Sequence, residues 1–213
     1  MPFAFPKVYP ILDASFIPST GRAEFLHRLG LSLTDAGTTL LEYRNKTGAE
    51  TEILTDSAIL RASMPSGRVK LILDDRADLV DRAGFDGVHV DAGDMSPAQA
   101  RSLLGPDRIV GTFGGSEALL LGILEAPVDY LAIGPVFATR TKQTANKPIG
   151  IDGVRRLREE AGPGKVLSAA AGVTLETAKA VLDAGASMVA VSEAIFHTPD
   201  PALTFSQWVR QLQ

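Results

Sequence analysis

The chain has 213 residues, of which 45% are apolar, and its formal net charge at pH 7 is -4. This length and composition allow a single domain, spanning residues 1–213, with one sizeable core. The acidic balance and the lack of a long basic run exclude an extended nucleic-acid surface. The chain has no cysteine, so disulfides, thiolate metal sites and thiol nucleophiles are excluded as well.

The amino-terminal segment, residues 1–7, contains two prolines and lacks a basic segment before a long apolar one, so it does not resemble a signal peptide. No apolar stretch approaches the roughly 20 residues that span a bilayer. We therefore expect a soluble, cytoplasmic protein without membrane or nucleic-acid partners. The sequence leaves the oligomeric state open, with a homodimer as one option.

Short runs rich in Val, Ile and Leu alternate with helical segments, which is the pattern of parallel strands joined by crossover helices. The predicted strands are residues 8–12, 38–44, 68–75, 87–91, 108–113, 129–134, 165–170 and 188–193. The predicted helices are residues 22–35, 50–62, 76–83, 96–104, 116–124, 151–160, 174–184 and 202–212. Eight such units favour an α/β fold of the closed (β/α)8 or TIM-barrel type, with a doubly wound open sheet as its rival.

Three helix-to-strand junctions resemble one another: residues 83–88, 126–131 and 184–189. Each has a glycine or proline at its second position and then re-enters a strand, as expected where a helix closes before a buried parallel strand. The similarity is too weak to indicate a solenoid repeat.

Polar residues follow the carboxyl ends of most predicted strands. They are Arg44 and Lys46, Asp74 and Asp75, Asp94, Thr139 to Lys142, Gly172, and finally Ser192 and Glu193. In a barrel these strand ends converge on one face, where the catalytic loops lie, whereas an open sheet spreads them along an edge.

The segment Thr139-Arg140-Thr141-Lys142 offers two hydroxyls and two cations at the exit of a predicted buried strand. Hydroxyls donate directed hydrogen bonds and cations neutralise charge, so the segment suits phosphate oxygens. The carboxylates of Asp74, Asp75 and Asp94 would repel such a substrate unless a divalent cation such as Mg²⁺ lay between them. The combination predicts a metal-bound pyrophosphate group.

Four motifs in this order and spacing resemble the thiamine-phosphate synthases, also called thiamine-phosphate pyrophosphorylases, together with the related thiazole tautomerases. The motifs are Arg-Asn-Lys at 44–46, Asp-Asp-Arg-Ala-Asp-Leu at 74–79, Asp-Gly-Val-His-Val at 86–90 with Asp94 beyond, and Gly-Pro-Val-Phe-Ala-Thr-Arg-Thr-Lys at 134–142. The resemblance covers nearly the whole chain. It implies that an aminopyrimidine methyl diphosphate and a (carboxy)thiazole ethyl phosphate join to give thiamine phosphate and pyrophosphate, in a Mg²⁺-assisted dissociative substitution.

The same resemblance implies roles for individual residues. Asp75 and Asp94 would hold Mg²⁺. The diphosphate leaving group would be bound by Arg44, Lys46 and Lys142. Glu42 and Asp74 would face the pyrimidine, and Phe113 would lie at the diphosphate site. The thiazole phosphate would be surrounded by Thr139, Thr141, Gly172, Ser192 and Glu193.

Five positions depart from the family pattern, and all of them are implied substrate contacts or their neighbours. Glu42 and Asp74 stand where the family has a glutamine and an asparagine. Phe113 and Glu193 each stand where the family has a serine. Ala171 replaces the first glycine of a pair. The leading interpretation is a synthase with divergent substrate contacts.

Two alternatives stay open. A thiazole tautomerase would isomerise a thiazole phosphate by proton transfer, but its usual histidine is missing in the region where this chain has Gly114 and Gly115. A barrel that binds thiamine intermediates or another phosphate without catalysis is kept open by the departures above.

His89 lies inside an apolar run and is interpreted as a packed, hydrogen-bonded histidine rather than a ligand. Phe205, Trp208 and Val209 are predicted to dock the final helix onto the barrel.

Overall fold

The computed structural model describes residues 3–91, 93, 95–115, 122–138 and 147–212. Within them, eight parallel strands pair in chain order and the last pairs with the first, which closes the sheet into a barrel. The strands are β1 Val8–Asp13, β2 Leu40–Arg44, β3 Lys70–Asp74, β4 Gly87–Val90, β5 Ile109–Gly115, β6 Tyr130–Ile133, β7 Leu167–Ala170 and β8 Met188–Val191. The predicted (β/α)8 barrel is confirmed, and each predicted strand is present.

The helices lie between the strands and pack around the sheet. In the described part of the chain, the α-helices are Arg22–Asp35, Glu50–Ser63, Val80–Ala83, Pro97–Leu104, Gly150–Ala161, Leu175–Asp183, Glu193–Phe196 and Pro201–Leu212. Short 3-10 helices cover Ala14–Phe16 and Ala77–Leu79. The predicted helix 76–83 is therefore a 3-10 turn followed by one α-helical turn. Most of the predicted helix 116–124 falls outside the described residues.

Some strand boundaries differ from their predictions: β3 ends at Asp74 rather than at residue 75, β5 extends to Gly115, and the end of the last strand was wrong. Strand 188–193 was expected to end on Ser192 and Glu193, but β8 stops at Val191 and Glu193 begins a short helix. The backbone of Ser192 has φ -116° and ψ -86°, which is outside the extended region and turns the chain out of the sheet. Glu193 therefore belongs to a turn above the barrel rather than to its wall.

Side chains alternate along each strand between the barrel interior and the surrounding helical layer, because successive strand residues point to opposite faces. On β2, Leu41 and Tyr43 join the large cluster that the helices cover. The barrel interior has its own cluster, made by Tyr9, Leu40, Ile72, Ile109, Tyr130, Met188 and Ala190. Glu42 and Arg44 share the inner face of β2 with Leu40, since they lie two and four residues further along.

The three junctions that resemble one another in the sequence are each closed by an arginine from the last turn of a helix. These arginine clamps are Arg61, Arg101 and Arg158. Through Nε, each guanidinium donates to the carbonyl at the second junction position, and through Nη1 to two further carbonyls near the end of its own helix and the following strand. The three arginines come from the helices that follow β2, β4 and β6, and the junctions they close precede β4, β6 and β8.

The fourth position of each junction completes its clamp. Asp86, Asp129 and Ser187 accept a hydrogen bond from Nη2 of the arginine and another from the backbone N–H of a neighbouring strand residue. These residues directly precede β4, β6 and β8, so the clamps lie at the amino-terminal end of the barrel. This is the end of a barrel where polar residues serve stability rather than chemistry.

The carboxyl-terminal helix, Pro201–Leu212, packs against the first helix and β1. Phe205 and Trp208 are buried, and Val209 is half-buried against the same core. The predicted docking of this helix is confirmed. In the part of the chain that the structure describes, no helix combines the length and the apolar content needed to cross a membrane.

Candidate active site

A cavity of about 490 Å³ opens at the carboxyl ends of the strands. This is the face on which barrel enzymes place their active sites, and the volume is that of a site for small molecules. The predicted site residues that line the cavity are Glu42, Arg44, Asp74, Phe113, Gly172, Ser192 and Glu193. Asp94, Thr139, Thr141 and Lys142, which were also predicted, lie outside the described residues.

Two cations at the cavity mouth are held by carboxylates. Arg44, the last residue of β2, forms an ion pair with Asp13 at the end of β1, and its Nε lies 3.5 Å from Oδ2 of Asp74. Lys46 Nζ lies 3.0 Å from the same Asp74 oxygen and pairs with Asp75. The sequence prediction that these cations lie on one face of the barrel with Asp74 and Asp75 is thus correct.

A further carboxylate, Asp91 after β4, has its Oδ2 at 4.0 Å from Lys46 Nζ. Burial opposes the charge on Lys46, but the field of Asp74 and its contacts with Asp75 outweigh this and raise the pKa of the ammonium. Burial likewise opposes the charge on Arg44, and Asp74 and Asp13 raise the pKa of its guanidinium. Both cations therefore stay charged, in a mouth where carboxylates outnumber them.

Asp75 owes its position to the backbone. It has φ 64°, in the left-handed region, and its N–H donates to the carbonyl of His89 at 2.8 Å. Aspartate tolerates this conformation better than most residues. The tight turn after β3 brings its carboxylate to Lys46. Across the described ranges, no group of three or more acidic or histidine side chains has the arrangement of a metal site, and the predicted ligand pair requires Asp94, which falls in a gap between those ranges.

A row of hydrogen-bonded side chains, which we call the floor network, crosses the bottom of the cavity. Tyr9 Oη donates to Glu42 Oε2 at 2.7 Å and lies 2.9 Å from Tyr130 Oη. Tyr130 Oη in turn lies 3.0 Å from His89 Nδ1. His89 Nε2 faces Asp91 Oδ1 at 3.5 Å. Groups from four strands and the loop after β4 are thereby linked into one polar layer.

Gly111 on β5 makes the floor network possible. A Cβ at this position would lie 2.0 Å from Cζ of Tyr130, so only glycine leaves room for the phenol to cross the barrel. The Tyr130 ring packs edge-on against Tyr9, with centroids 5.7 Å apart, and stacks on His89 at 5.6 Å. Gly111 on β5 thus provides the space in which Tyr130 connects Tyr9 with His89.

The network holds four ionisable side chains away from water. Burial raises the pKa of Glu42 to about 7, against the attraction of His89 and the hydrogen bond from Tyr9. For His89, burial acts in the opposite direction, but Asp91 and Glu42 outweigh it and the pKa is raised. Burial also raises the pKa values of Tyr9 and Tyr130, which therefore stay protonated.

The loops after β6 and β7 touch above the cavity. Gly172 has φ 72°, and a Cβ there would lie 2.7 Å from the carbonyl oxygens of Phe137 and Ala138. The N–H of Phe137 also donates to the carbonyl of Ala171 at 3.1 Å. Gly172 therefore lies beside Ala138, which is the last described residue before the predicted phosphate segment at 139–142.

Ser192 and Glu193 occupy the adjoining side of the mouth. The Ser192 hydroxyl donates to the carbonyl of Ile11 at 2.7 Å, which ties the end of β8 to β1. The hydroxyl proton of Ser192 is thus engaged within the barrel. The Glu193 carboxylate lies 3.7 Å from Nδ1 of His197.

Sequence reasoning missed Tyr9, Asp13, Asp91 and Tyr130, all of which line the cavity. A signal was available, because stepping back two residues at a time from a polar strand end follows the inner face of that strand. Two such steps lead from Asp13 through Ile11 to Tyr9. The interpretation of His89 as a packed, hydrogen-bonded side chain is confirmed. The structure shows in addition that His89 lines the cavity.

Comparisons with known proteins agree with this geometry. The sequence model of a family described as thiamine monophosphate synthase matches residues 8–195. Two curated relatives named thiamine-phosphate synthase, from Koribacter versatilis and Agrobacterium fabrum, are 43% and 36% identical over 87% and 86% of this chain, and over 87% and 84% of their own lengths. A solved structure of a thiamine phosphate pyrophosphorylase from Pyrococcus furiosus matches with a TM-score of 0.82 over 97% of this chain and 95% of its own, at 24% identity, and so supports the fold. The chain belongs to the thiamine monophosphate synthase family.

Proposed function

We propose that this protein is a thiamine-phosphate synthase, a transferase that joins an aminopyrimidine methyl diphosphate to a (carboxy)thiazole ethyl phosphate and releases pyrophosphate. The observation that carries the proposal is the pair of charged side chains, Arg44 and Lys46, directly above a cavity that can hold two small rings. Two curated relatives that resemble this chain over most of its length carry this activity in their names.

The cavity mouth suits a diphosphate. Arg44 presents a planar fork that can bind two phosphate oxygens, and Lys46 adds a compact charge. Both cations are paired with side-chain carboxylates, and an arriving anion can compete for them if another cation takes over those carboxylates. Lys142, from the predicted phosphate segment, would add a third positive charge.

Mg²⁺ is the cation that the carboxylates suit. Asp74, Asp75 and Asp91 converge on Lys46, so oxygen donors of the kind that Mg²⁺ prefers already surround a positive charge. Asp75 would hold the ion together with Asp94. When bound, Mg²⁺ would neutralise charge that grows on the departing pyrophosphate.

The reaction needs positioning and electrostatics more than a protein nucleophile. Arg44 and Lys46 hold the diphosphate while its bond to the methylene carbon breaks, and they stabilise the charge on the leaving oxygen. The floor network lies below, where the pyrimidine ring would be seated. The thiazole nitrogen, held by its phosphate near Gly172, then attacks the methylene carbon.

A thiazole tautomerase is the second candidate, because the floor network supplies groups able to move protons.

The decisive experiment incubates the purified protein with the pyrimidine diphosphate, the thiazole phosphate and Mg²⁺, together and with each omitted in turn. We expect pyrophosphate and thiamine phosphate only when all three are present. No product from the complete mixture, with isomerisation of the thiazole phosphate instead, would contradict the synthase and support the tautomerase. Binding of the thiazole phosphate without either reaction would support a non-catalytic barrel.

A matched pair of variants ties the reaction to the proposed site. Lys46→Gln removes a cation from the cavity mouth, whereas Lys179→Gln removes one that pairs with Asp183 on an exposed outer helix. We expect Lys46→Gln to lose most of its turnover and Lys179→Gln to keep it. Equal turnover in the two variants would place the diphosphate elsewhere.

A further inference from the structure

We propose that the Glu42 carboxylate acts as a general base, taking a proton from the exocyclic amine of the aminopyrimidine while the diphosphate leaves and returning it when the thiazole adds. The inference rests on the proposed function and deepens it. Family members that carry glutamine at this position, as the sequence resemblance implies, have no group there that can accept this proton.

The placement of Glu42 supports this role. Glu42 and Arg44 lie two residues apart on the inner face of β2, about 6.6 Å along the strand. In the substrate, the ring is separated from the diphosphate by one methylene group. A diphosphate bound at Arg44 therefore brings the ring, and the amine on the neighbouring ring carbon, to the depth of Glu42 on the cavity floor.

The surroundings of Glu42 suit a base. Its side chain is 3% exposed, and within the described residues no lysine or arginine forms an ion pair with it. Tyr9 donates to one carboxylate oxygen, which leaves the carboxyl group able to bind the substrate through the other. With its pKa raised to about 7 by burial, the group can both accept and return a proton near neutral pH.

The proposed step balances in protons and electrons. When the C–O bond breaks, its electron pair goes to the pyrophosphate oxygen and the methylene carbon becomes electron-poor. The amine nitrogen donates its lone pair into the ring, and its N–H proton passes to Glu42, which leaves a neutral imine conjugated with the methylene. The thiazole nitrogen then forms its bond to the methylene carbon, and the proton returns from Glu42 to the imine nitrogen. The product is an amine beside a thiazolium, and Glu42 is again a carboxylate.

Several charged and ionisable groups face Glu42 and set the pH at which it works. Asp74 from β3 and Asp91 after β4 disfavour its ionised form, while His89 from β4 favours it. Tyr9 from β1 favours the ionised form through its hydrogen bond, and Tyr130 from β6 holds Tyr9 in place. The carboxylate form is the active base, so turnover should rise with pH through the pKa of Glu42 and then level off.

The test is Glu42→Gln, which keeps the shape of the side chain and removes its ability to take a proton. We expect kcat to fall about 100-fold or more, within the usual range for a general base, while KM for the pyrimidine diphosphate changes little. The rising limb of kcat with pH should disappear in this variant. A variant as active as the wild-type protein, or one that keeps the same pH dependence, would overturn the proposal.

Tyr9→Phe provides a second test. Loss of its hydrogen bond to Glu42 should raise the pKa of the carboxyl, so the rising limb of kcat should move to higher pH. A limb that stays in place would contradict the role of Glu42, even if Glu42→Gln failed to fold. If the wild-type protein formed no thiamine phosphate at any pH, the synthase assignment itself would fall. If the wild-type protein formed thiamine phosphate and Glu42→Gln matched its kcat, only the role of Glu42 would fall.

Discussion

The cations at the two ends of the barrel have different partners. At the amino-terminal end, each arginine clamp is held by three backbone carbonyls and one side chain, which themselves belong to helix ends and strand starts. At the carboxyl-terminal end, Arg44 and Lys46 are held by the side-chain carboxylates of Asp13, Asp74 and Asp75. The backbone carbonyls of the clamps are fixed by the helix ends and strand starts to which they belong. The carboxylates at the mouth can instead bind a metal ion, which frees Arg44 and Lys46 to bind an anion. The contrast separates a face built for stability from a face built for exchange of partners.

The most severe test of this contrast removes a guanidinium from each end by the same substitution. Arg44→Gln should lower kcat/KM for the pyrimidine diphosphate about 100- to 1,000-fold, as expected for the loss of a donor that stabilises developing negative charge. Steady-state kinetics with saturating thiazole phosphate and Mg²⁺ measures this. Retention of kcat/KM in Arg44→Gln would place the leaving group away from β2.

Arg101→Gln is the counterpart at the amino-terminal end. It removes one donor from the partly buried Asp129 and from the backbone carbonyls that Arg101 joins, so the free energy of unfolding should fall by about 2–3 kcal/mol. Denaturant titration measures the change, and kcat/KM of the folded enzyme should stay within about twofold of the wild-type value. A stable but inactive Arg101→Gln would break the division between the two ends.

Glu42→Gln tests whether a buried carboxylate at the carboxyl-terminal end of the barrel lowers the stability of the fold. The folded pKa of Glu42 is raised to about 7 from an ordinary value of 4.5, so its contribution to folding is fully present below pH 4.5 and is lost as pH rises to about 7. A glutamine does not incur this loss. At pH 8, we expect the variant to be more stable than the wild-type protein by on the order of 2 kcal/mol, with a smaller difference at pH 5. Equal stability of the two proteins at pH 8 would show that the carboxylate is not destabilised by its burial.

The smallest expected effect concerns the backbone beside Gly172. Ala171 has φ 69°, a left-handed conformation that costs a residue with a Cβ about 1–2 kcal/mol. Ala171→Gly should relieve this strain at the expense of a more flexible unfolded chain, for a net gain of about 0.5 kcal/mol in unfolding free energy. Thermal unfolding checks the sign. A loss of stability would mean that the Ala171 methyl group makes contacts that outweigh the strain.

The barrel followed from sequence because its strands are short apolar runs with regular spacing, and the site cations followed because they end such runs. The floor network did not follow, since it joins residues up to 121 positions apart and depends on Gly111 leaving room for Tyr130. Nothing in the spacing of Tyr9 and Tyr130 shows that their hydroxyls meet at the barrel axis.

The arginine clamps could be predicted from the sequence only in part. Their junctions were visible as three similar segments in the sequence, with an Asp or Ser at the same place in each. Each clamp arginine lies 23 to 27 residues before the junction carbonyl to which its Nε donates. A local sequence pattern cannot connect residues that far apart. The turn at Ser192 was missed for a related reason, because Met188–Val191 is followed by residues that would also fit an extended strand.

The most direct test of the division between the two ends is calorimetric titration of pyrophosphate, the leaving group itself, into the wild-type protein, Arg44→Gln and Arg101→Gln, each with Mg²⁺ present and absent. We expect the wild-type protein and Arg101→Gln to bind pyrophosphate equally well when Mg²⁺ is present, and Arg44→Gln to bind it at least tenfold more weakly. Equal binding by all three proteins would contradict the assignment of the leaving-group site to the carboxyl-terminal mouth of the barrel.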